Sequence, residues 1–511
     1  MALVVLIRPP NVVRPMILTP SVTPPLSIAY LTASLSETGH DVQAIDGVGE
    51  AIDQVHPGYL PSVLYNGLTI AEIVERVSPR AEVIGVSCMF SSEWPLVRHL
   101  VRALALRFPG IPLICGGEHV TALPLFSLAE APELSACVLG EGEETVVDLV
   151  DALLAHRDLA SIPGIAYRNG DALLQTPARE RIRDVDSLPT PRWDLLPLER
   201  YLSGGFSFGV DRGRTMPILA TRGCPYQCTF CSSPGMWTTR YTTRAPAAVV
   251  DEIERYVRDY GVENIDFYDL TAIVKRSWVI EFCTELIGRG VKVSWQLPSG
   301  TRSEALDPEV LHLMFQAGCR NVSYAPESGS ETTLKRIKKK VRLARMQESM
   351  REAVAAGLNV KMNIIVGFPG EERRDILETV RFVARAARLG VHDVAIWTFS
   401  PYPGSELFEQ LRAAGMIAQL DDAYFASLLS YADLFHPISY DELVPSKQLQ
   451  RCQFAGIFLF YAVSYLLHPS RPFRTVLNVV RHSYESRMEM SLGNLVRRMT
   501  MSKHLSHGRA A

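Results

Sequence analysis

The 511-residue sequence predicts an α/β protein with two units built on parallel sheets, followed by a helical region. The first observation is that short apolar runs alternate with helix-length segments over residues 1–155 and again over residues 216–415. Parallel sheets covered by helices on both faces produce this alternation. The second observation is that residues 416–511 have helical patterns without it. The third is the length, which suits about three folded units.

Residues 1–155 are predicted to form an open, doubly wound (Rossmann-like) domain of five strands. The strand-like runs are Leu3–Ile7, Val42–Ile45, Val83–Met89, Leu113–Cys115 and Cys137–Leu139. Ligands of such sheets bind beyond the carboxyl ends of the strands. In this sequence small residues cluster there, at 116–117 and 140–143. Residues 156–215 are predicted as a connector with a hairpin, because Asn169–Gly170 favours a tight turn.

Residues 216–415 are predicted to form a partial (βα)6 barrel, because six strand-like runs alternate with helices. The runs are Pro217–Thr221, Asn264–Tyr268, Lys292–Gln296, Asn321–Ala325, Lys361–Val366 and Val394–Phe399. The chemistry of parallel barrels belongs at the carboxyl ends of their strands. The candidate site is therefore expected in the loops that follow these six runs.

Composition excludes several classes of protein. Lys and Arg total 52 against 55 for Asp and Glu, so the net charge of −3 gives no basic bias towards nucleic acid. Nine cysteines are too few for a disulfide scaffold of this length. No run reaches the ~18–20 apolar residues of a membrane span. The start, MALVVLIRPP, is predicted as a buried strand instead of a signal peptide, so a cytoplasmic location is expected.

Three cysteines follow the first strand of the second unit within the segment TRGCPYQCTFC. Cys224, Cys228 and Cys231 have the spacing C-x₃-C-x₂-C, which suits a soft metal or an iron–sulfur cluster. A cube of four irons would keep one iron without a protein ligand, which is typical of a reactive site. The alternatives are a zinc knuckle or three unrelated thiols. Zinc would need a fourth ligand at short spacing, and the nearest downstream histidine is His312.

This cysteine spacing, with an aromatic residue (Phe230) before the last cysteine, resembles the radical S-adenosylmethionine (SAM) enzymes. The resemblance covers about residues 215–415. It implies that the free iron binds SAM and that the reduced cluster cleaves SAM to methionine and a 5′-deoxyadenosyl radical. It also implies that the protein positions the cluster and SAM relative to each other and excludes water and oxygen from them.

Further segments match family motifs at the expected strand ends and imply the SAM contacts. DFYD, ending at Asp269, matches the segment that contacts the SAM amino group, although many relatives have a second aspartate where this chain has Leu270. Arg302 is a candidate partner of the methionyl carboxylate. Glu327 and Ser328 in APESGS match the ribose motif, and Gly367 in NIIVGFPGE belongs to the adenine motif.

The first unit resembles the cobalamin-binding domain that is fused to many radical SAM enzymes. Its segments VIGVSCMF, ICGGEHVT and VLGEGEET fall where that family has small-residue loops. The cobalamin contacts implied by the resemblance are Ser87, Gly116, Gly117, Gly140 and Glu141. The family's cobalt-binding histidine motif is absent from RPPNVVRPMILTP, so a bound cobalamin is expected to lack a histidine donor. The alternative is that cobalamin binding has been lost and only the scaffold remains.

The whole layout looks like the family that includes the anaerobic magnesium-protoporphyrin monomethyl ester cyclase and cobalamin-dependent methyltransferases. The expected reaction is methylation of an unactivated carbon in a pigment, lipid or natural-product intermediate, and the alternative is radical oxidation or ring formation. The expected partners are a lipophilic small molecule and a low-potential electron donor such as ferredoxin or flavodoxin. A tRNA-modifying methylthiotransferase with a second cluster on Cys88, Cys115 and Cys137 is disfavoured, because these thiols lie in apolar strands. A zinc-binding scaffold without catalysis is the alternative of a different class.

Residues 451–511 carry nine Lys or Arg and two acidic residues, a local charge of +7. The apolar segment FAGIFLFYAVSYLL precedes Arg471, Arg474 and Arg481. Such a region can lie on an anionic membrane surface or contact a lipophilic substrate. The favoured interpretation is a helical cap that packs its apolar face on the barrel and leaves its charges in solvent. His504 and His507, near the end, are not expected to bind metal.

Overall fold

The computed structural model describes residues 2–15 and 22–496, so His504 and His507 lie outside the described residues. Strands were found at β1 Leu3–Arg8, β2 Asn11–Val13, β3 Asp41–Asp46, β4 Val55–Pro57, β5 Leu64–Asn66, β6 Val83–Ser87, β7 Leu113–Gly116, β8 Leu134–Val138, β9 Ile165–Asn169, β10 Ala172–Gln175, β11 Thr215–Ile218, β12 Thr221–Arg222, β13 Thr242–Thr243, β14 Asn264–Phe267, β15 Ser294–Thr301, β16 Cys319–Glu327, β17 Asn359–Val366 and β18 Asp393–Thr398.

Helices were found at α1 Leu26–Glu37, α2 Ile70–Arg76, α3 Trp94–Arg107, α4 Glu118–Ala122, α5 Pro124–Glu130, α6 Glu143–Leu154, α7 Leu198–Ser203, α8 Ser233–Trp237, α9 Pro246–Tyr260, α10 Arg276–Gly288, α11 Pro308–Gln316, α12 Glu331–Arg336, α13 Leu343–Ala355, α14 Arg373–Arg388, α15 Glu406–Ala413, α16 Asp422–Ser427, α17 Ser446–Leu467 and α18 Ser470–Arg481. A further helical segment occupies 487–496.

The first sheet confirms the doubly wound prediction and enlarges it. Its strand order is β10-β9-β8-β7-β6-β1-β3, and the five strands predicted from the sequence are parallel to one another. The hairpin β9–β10, assigned above to the connector, pairs antiparallel with β8 and extends the sheet to seven strands. The five-strand prediction was therefore two strands short. A hairpin can extend the sheet because the outer edge of β8 offers unpaired backbone groups.

The second sheet confirms the predicted partial barrel, with six parallel strands in the order β11-β14-β15-β16-β17-β18. Along β17, Val360, Met362, Ile364 and Val366 are buried, whereas the residues between them are only half-buried. This period of two is that of a strand with one face packed under helices. One apolar cluster contains residues of both sheets, for example Val4 and Val360, so the two units share a core.

The carboxyl-terminal region is helical, as predicted, over its described part, 416–496. Helix α17 lies against α14 and β18 on the outside of the barrel. Within the described residues, no helix taken singly has the length and apolar character needed to cross a bilayer. Helices α17 and α18 have the required length and apolar character only when they are taken together, and the chain bends by 109° between them.

Candidate functional site

The three cysteines lie in one loop at the carboxyl end of β11, the first barrel strand. The loop turns at Gly223, whose φ of +82° and close approach to the Arg240 carbonyl, 2.1 Å from an added Cβ, leave room only for glycine. Cys224, Cys228 and Cys231 are half-buried free thiols. The loop is compact, because the Cys231 amide donates to the Cys228 carbonyl at 3.1 Å.

Electrostatics around these thiols differ from one cysteine to the next. Burial, with smaller contributions from the other two thiols, raises the pKa of Cys231 to about 12. Burial also raises the pKa of Cys228, but the cations of Lys339 and Arg302 oppose this shift. A metal ligand must be a thiolate. The two cations therefore favour the ligating form of Cys228.

The donor set fits an iron–sulfur cluster better than a single metal ion. Among the described residues, no three His, Cys, Asp or Glu side chains converge closely enough to share one ion. The loop itself, residues 224–231, supplies three thiols and contains no fourth Cys or His. Three cysteines suit a multi-iron cube with one iron open to another ligand, whereas structural zinc requires four donors.

Asp269, expected to contact SAM, faces the loop that carries the cysteines. Its carboxylate accepts hydrogen bonds from the Ala220 amide at 3.2 Å and from the Thr221 hydroxyl. The side chain is fully buried, and burial raises its pKa to about 6. In this arrangement Asp269 fixes the start of the cysteine loop. A direct contact with SAM would require the carboxylate to exchange partners.

Arg302 and Glu327 lie beside the thiols, as expected from their motifs. The guanidinium of Arg302 stacks on the ring of Tyr226, 3.7 Å from the centroid, and its Nε is buried without a hydrogen-bond partner. Tyr226 belongs to the cysteine loop itself. Glu327 has a φ of +66° and accepts a hydrogen bond from Lys339 Nζ at 2.9 Å. Two cations and a carboxylate thus lie around Cys228, with Lys339 paired to Glu327 and Arg302 lying 3.5 Å from the Glu304 carboxylate.

Ser328, the serine of the ribose motif, is less available for binding a ligand. The Ser328 hydroxyl is buried 3.0 Å from the Thr379 hydroxyl of α14, and it accepts a hydrogen bond from the Ser330 amide. Its contacts are therefore within the protein. Gly367 has a φ of +83°, and a Cβ there would lie 2.8 Å from Leu449 of α17. Glycine at this position lets α17 pack against the strand end.

Phe230 connects the cysteine loop to the adenine motif. Its ring packs against Phe368, with the centroids 5.4 Å apart, and Phe368 packs against Phe399 at 5.5 Å. Phe368 directly follows Gly367 in the sequence. The three rings thus join the cysteine loop to the strand ends of β17 and β18.

The residues expected to bind cobalamin lie at the carboxyl ends of neighbouring strands in the first sheet. Ser87 of β6 and Gly116 of β7 are partners in the parallel register. Gly117 has a φ of +120°, and an added Cβ would lie 2.4 Å from the Cys88 carbonyl. The Gly140 amide donates to the Thr121 hydroxyl at 3.0 Å. These four residues form one edge, as the resemblance implied.

Glu141 has a different environment from the one expected. It accepts hydrogen bonds from the Ile182 amide at 2.9 Å and from Arg181 and Arg222 at 3.2 Å each. Arg222 also pairs with Glu143. Burial lowers the pKa of Arg222, but the two glutamates outweigh it and raise that pKa overall. Glu141 thus joins the first sheet to the connector and to the cysteine loop, and no carboxylate oxygen is left over for a corrin.

The second-cluster interpretation is disfavoured by the structure as it was by the sequence. Cys88, Cys115 and Cys137 are all fully buried in the first sheet. Burial raises the pKa of each thiol, to about 12 for Cys115. Such thiols behave as small apolar residues.

Three residues at the site were missed in the sequence. Lys339 lies in the basic run KRIKKKVR, where no pattern separates a buried lysine from exposed ones. Arg222 and Glu118 acquire their roles only through contacts between distant segments, since Glu118 accepts a hydrogen bond from the Ser232 hydroxyl next to Cys231. For Arg222 and Glu118 the available signal was that they lie within the segments TRGCPYQCTFC and ICGGEHVT.

The sequence matches two families over the two sheets. Residues 218–383 match the radical SAM superfamily, and residues 16–150 match the B12 binding domain. The first match begins at the end of β11 and contains the three cysteines, and the second ends within α6.

Individual relatives agree with these matches. An uncharacterized methyltransferase of Pyrococcus horikoshii is 30% identical over 399 residues, which cover 78% of this chain and 80% of that protein. The anaerobic magnesium-protoporphyrin IX monomethyl ester cyclase of Cereibacter sphaeroides is 30% identical over 396 residues, 76% of this chain and 60% of that protein.

A solved structure shares the fold over the whole length. The cobalamin-dependent SAM radical enzyme OxsB, with aqua-cobalamin and SAM bound, aligns with 100% of this chain and 80% of its own at a TM-score of 0.68 and 15% identity. At that identity the likeness concerns the fold alone. With both domain matches and a relative similar over four-fifths of its length, the chain belongs to the radical SAM enzymes that carry a B12-binding domain, a family whose cofactors are a [4Fe–4S] cluster, SAM and cobalamin.

Proposed function

We propose that this enzyme methylates an unactivated carbon atom of a small, lipophilic molecule, such as a pigment, lipid or natural-product intermediate. When bound, the cluster and SAM would supply the 5′-deoxyadenosyl radical that removes a hydrogen atom, and cobalamin would supply the methyl group. The required electron would come from a low-potential donor such as ferredoxin or flavodoxin. A relative named as a methyltransferase, similar over most of both chains, favours methylation over ring formation.

The observation that carries the proposal is the contact between the cysteine loop and the glycine loops of the first sheet. Helix α8, which follows the cysteines, packs against α4, which follows Gly117. A Cβ on Gly140 would lie only 3.8 Å from the Met236 carbonyl of α8. Transfer of a methyl group to a carbon radical requires both cofactor sites to reach one substrate atom, and this contact supports that geometry.

The residues around the thiols have separate roles in the proposal. Cys224, Cys228 and Cys231 hold the cluster as thiolates. Lys339 and Arg302 stabilise negative charge near Cys228 and orient the carboxylate of SAM.

The surrounding residues shape the rest of the SAM site. Glu327 is positioned for the ribose hydroxyls or the SAM amine, with Lys339 as its partner. Phe230 and Phe368 exclude water from the thiols. Asp269 holds the loop through Ala220 and Thr221.

The test uses the full-length protein, reconstituted anaerobically with iron, sulfide and cobalamin. With dithionite and SAM we expect 5′-deoxyadenosine, and we expect its loss in Cys228→Ala. Cys452→Ala is the matched control, since Cys452 is also a half-buried free thiol but lies on α17. Equal product from both variants would refute the assignment of the cysteines.

A second experiment separates methylation from cyclisation. Small molecules, including lipids and pigments, are extracted from a strain that lacks the gene and incubated with the enzyme and methyl-labelled SAM. Methylation predicts a labelled product that is one CH₂ unit heavier than its precursor. An unlabelled product that has lost hydrogen would support the cyclase alternative instead.

A further inference from the structure

Helix α18 presents its polar residues to the protein and its apolar residues to the solvent. Phe473, Val476, Leu477 and Val480 form one stripe at the spacing i, i+3, i+4, i+7, and all four are exposed, Phe473 by 78% and Val480 by 71%. No residue of α18 is buried. This is the reverse of a helix that packs an apolar face on a core.

The inward face of α18 is held by hydrogen bonds. Arg471 donates to the Val391 carbonyl at 2.9 Å and to the Ser464 hydroxyl at 2.7 Å. Thr475 and Asn478 donate to the Glu489 carboxylate at 3.2 Å. The orientation of α18 is therefore fixed by specific contacts, and its apolar stripe is a constant feature of the surface.

Helix α17 extends the same surface. Its buried side, with Leu449, Gly456 and Phe460, faces the barrel. On its outer side Phe458 is 76% exposed and Leu466 is 80% exposed. The two helices are in contact with each other, and both expose large apolar side chains.

The charge of this region identifies the occupant. Residues 446–484 contain five Lys or Arg and no Asp or Glu, and one of these cations, Arg474, pairs with Glu485 just beyond them. Lys447, Arg451 and Arg481 form no ion pair with any described residue, and all three are exposed. Exposed apolar side chains bordered by unpaired cations complement a bilayer that has an anionic headgroup layer. A protein partner would need a matching acidic rim, whereas an anionic bilayer supplies that charge at any orientation.

We propose that α17 and α18 lie on the surface of an anionic lipid bilayer, with the α18 stripe inserted at the level of the acyl chains and Lys447, Arg451 and Arg481 at the headgroups. The bend of 109° between the helices favours lying on the membrane over crossing it. Arg471 binds the carbonyls that precede β18, so α18 sits at the amino-terminal edge of the barrel, opposite the cysteine loop. Helix α17 begins beside Gly367 at the carboxyl end of β17, so the proposed membrane surface runs along the outside of the barrel from one end of its strands to the other.

Flotation of the full-length protein with lipid vesicles tests this proposal. We expect binding to vesicles of phosphatidylcholine with phosphatidylglycerol, weaker binding to phosphatidylcholine alone, and a decrease with added salt. The double variant Phe473→Asp/Val480→Asp should bind about tenfold more weakly, because it removes two inserted apolar groups. Both positions are exposed, so the fold should be retained, as circular dichroism can verify.

The matched control is Leu106→Asp, at an apolar residue of α3 that is 86% exposed outside this region. It should bind vesicles as the unaltered protein does. Flotation of the α18 variant at the unaltered level would overturn the proposal. Absence of vesicle binding would also overturn the proposal. If the protein is then a dimer that the α18 variant dissociates, a second copy of the chain is the occupant of this surface. If the protein is a monomer, residues 497–511 become the candidate occupant. Flotation has no catalytic readout, so its outcome is independent of the methylation proposal.

Discussion

The carboxylate of Glu118, beyond the glycine loop of β7, accepts a hydrogen bond from the hydroxyl of Ser232, the residue after Cys231. This bond joins the cobalamin-binding sheet directly to the loop that carries the cysteines. Burial raises the pKa of Glu118, and the bond from Ser232 opposes that shift.

Ser232→Ala should destabilise the protein by about 1 kcal/mol, because a half-buried carboxylate loses its hydrogen-bond donor. Glu118→Gln should cost less, since the amide oxygen still accepts from Ser232. The measurement is urea unfolding followed by circular dichroism. A loss in Glu118→Gln equal to that in Ser232→Ala would show that this bond has no specific role.

Gly117→Ala should destabilise by about 3 kcal/mol or more, because its Cβ would overlap the Cys88 carbonyl in addition to the strain of its positive φ. Gly110→Ala is the control: it has a φ of +86° and nothing within 4 Å of an added Cβ, so it should cost only about 1 kcal/mol. Thermal unfolding of the two variants compares these costs. Similar losses of unfolding free energy in the two variants would mean that the backbone at Cys88 moves aside at little cost, so that packing would not require glycine at position 117.

Lys339→Met should destabilise by about 3 kcal/mol, since it leaves the buried Glu327 carboxylate without its cation. The double variant Lys339→Met/Glu327→Gln should recover part of that loss, because no charge remains unpaired. A double-mutant cycle of unfolding free energies measures the coupling. Iron content after reconstitution should fall in Lys339→Met, since the pKa of Cys228 rises without Lys339, and it should fall less in the double variant, since the Glu327 carboxylate also raises that pKa. Additive losses of unfolding free energy in the two single variants would contradict an energetic coupling between Lys339 and Glu327.

Burial raises the pKa of Glu93 to about 7 in the folded protein, above its usual value of 4.5. The folded state therefore keeps a proton between pH 4.5 and 7 that the unfolded chain has released, so the contribution of Glu93 to stability falls as the pH rises through that window. Glu93→Gln should gain stability relative to the unaltered protein from pH 5 to pH 8, by about 3 kcal/mol at most. Unfolding curves at both pH values provide the comparison. A difference that does not change with pH would contradict the raised pKa.

The two parallel sheets were accessible from the sequence because strands buried on two faces give continuous apolar runs, and parallel connections require helices between them. The hairpin β9–β10 was recognised from Asn169–Gly170, but its attachment to β8 was not, because strand pairing at an edge depends on contacts between segments. The cysteine loop was visible because its three ligands lie within eight residues.

Individual side-chain roles were harder to predict. Motif position predicted ligand contacts for Asp269, Ser328 and Glu141, whereas in the structure each makes its hydrogen bonds within the protein. Their partners are distant in sequence, so a local pattern cannot reveal them. Lys339 shows the converse, since only its burial beside Glu327 distinguishes it from the adjacent lysines.

The shared burial of Arg222 with Glu141 and Glu143 limits how such enzymes can be recombined. In a chimera that joins the amino-terminal domain of a relative to this barrel, the buried guanidinium of Arg222 would have no ion-pair partner unless the relative has a carboxylate at both matching positions. The exchange of cofactor-binding halves between relatives is therefore limited by Arg222. Chimeras should fold when the junction lies before residue 141, so that both glutamates are kept, or when it lies after residue 222, so that Arg222 is exchanged together with them.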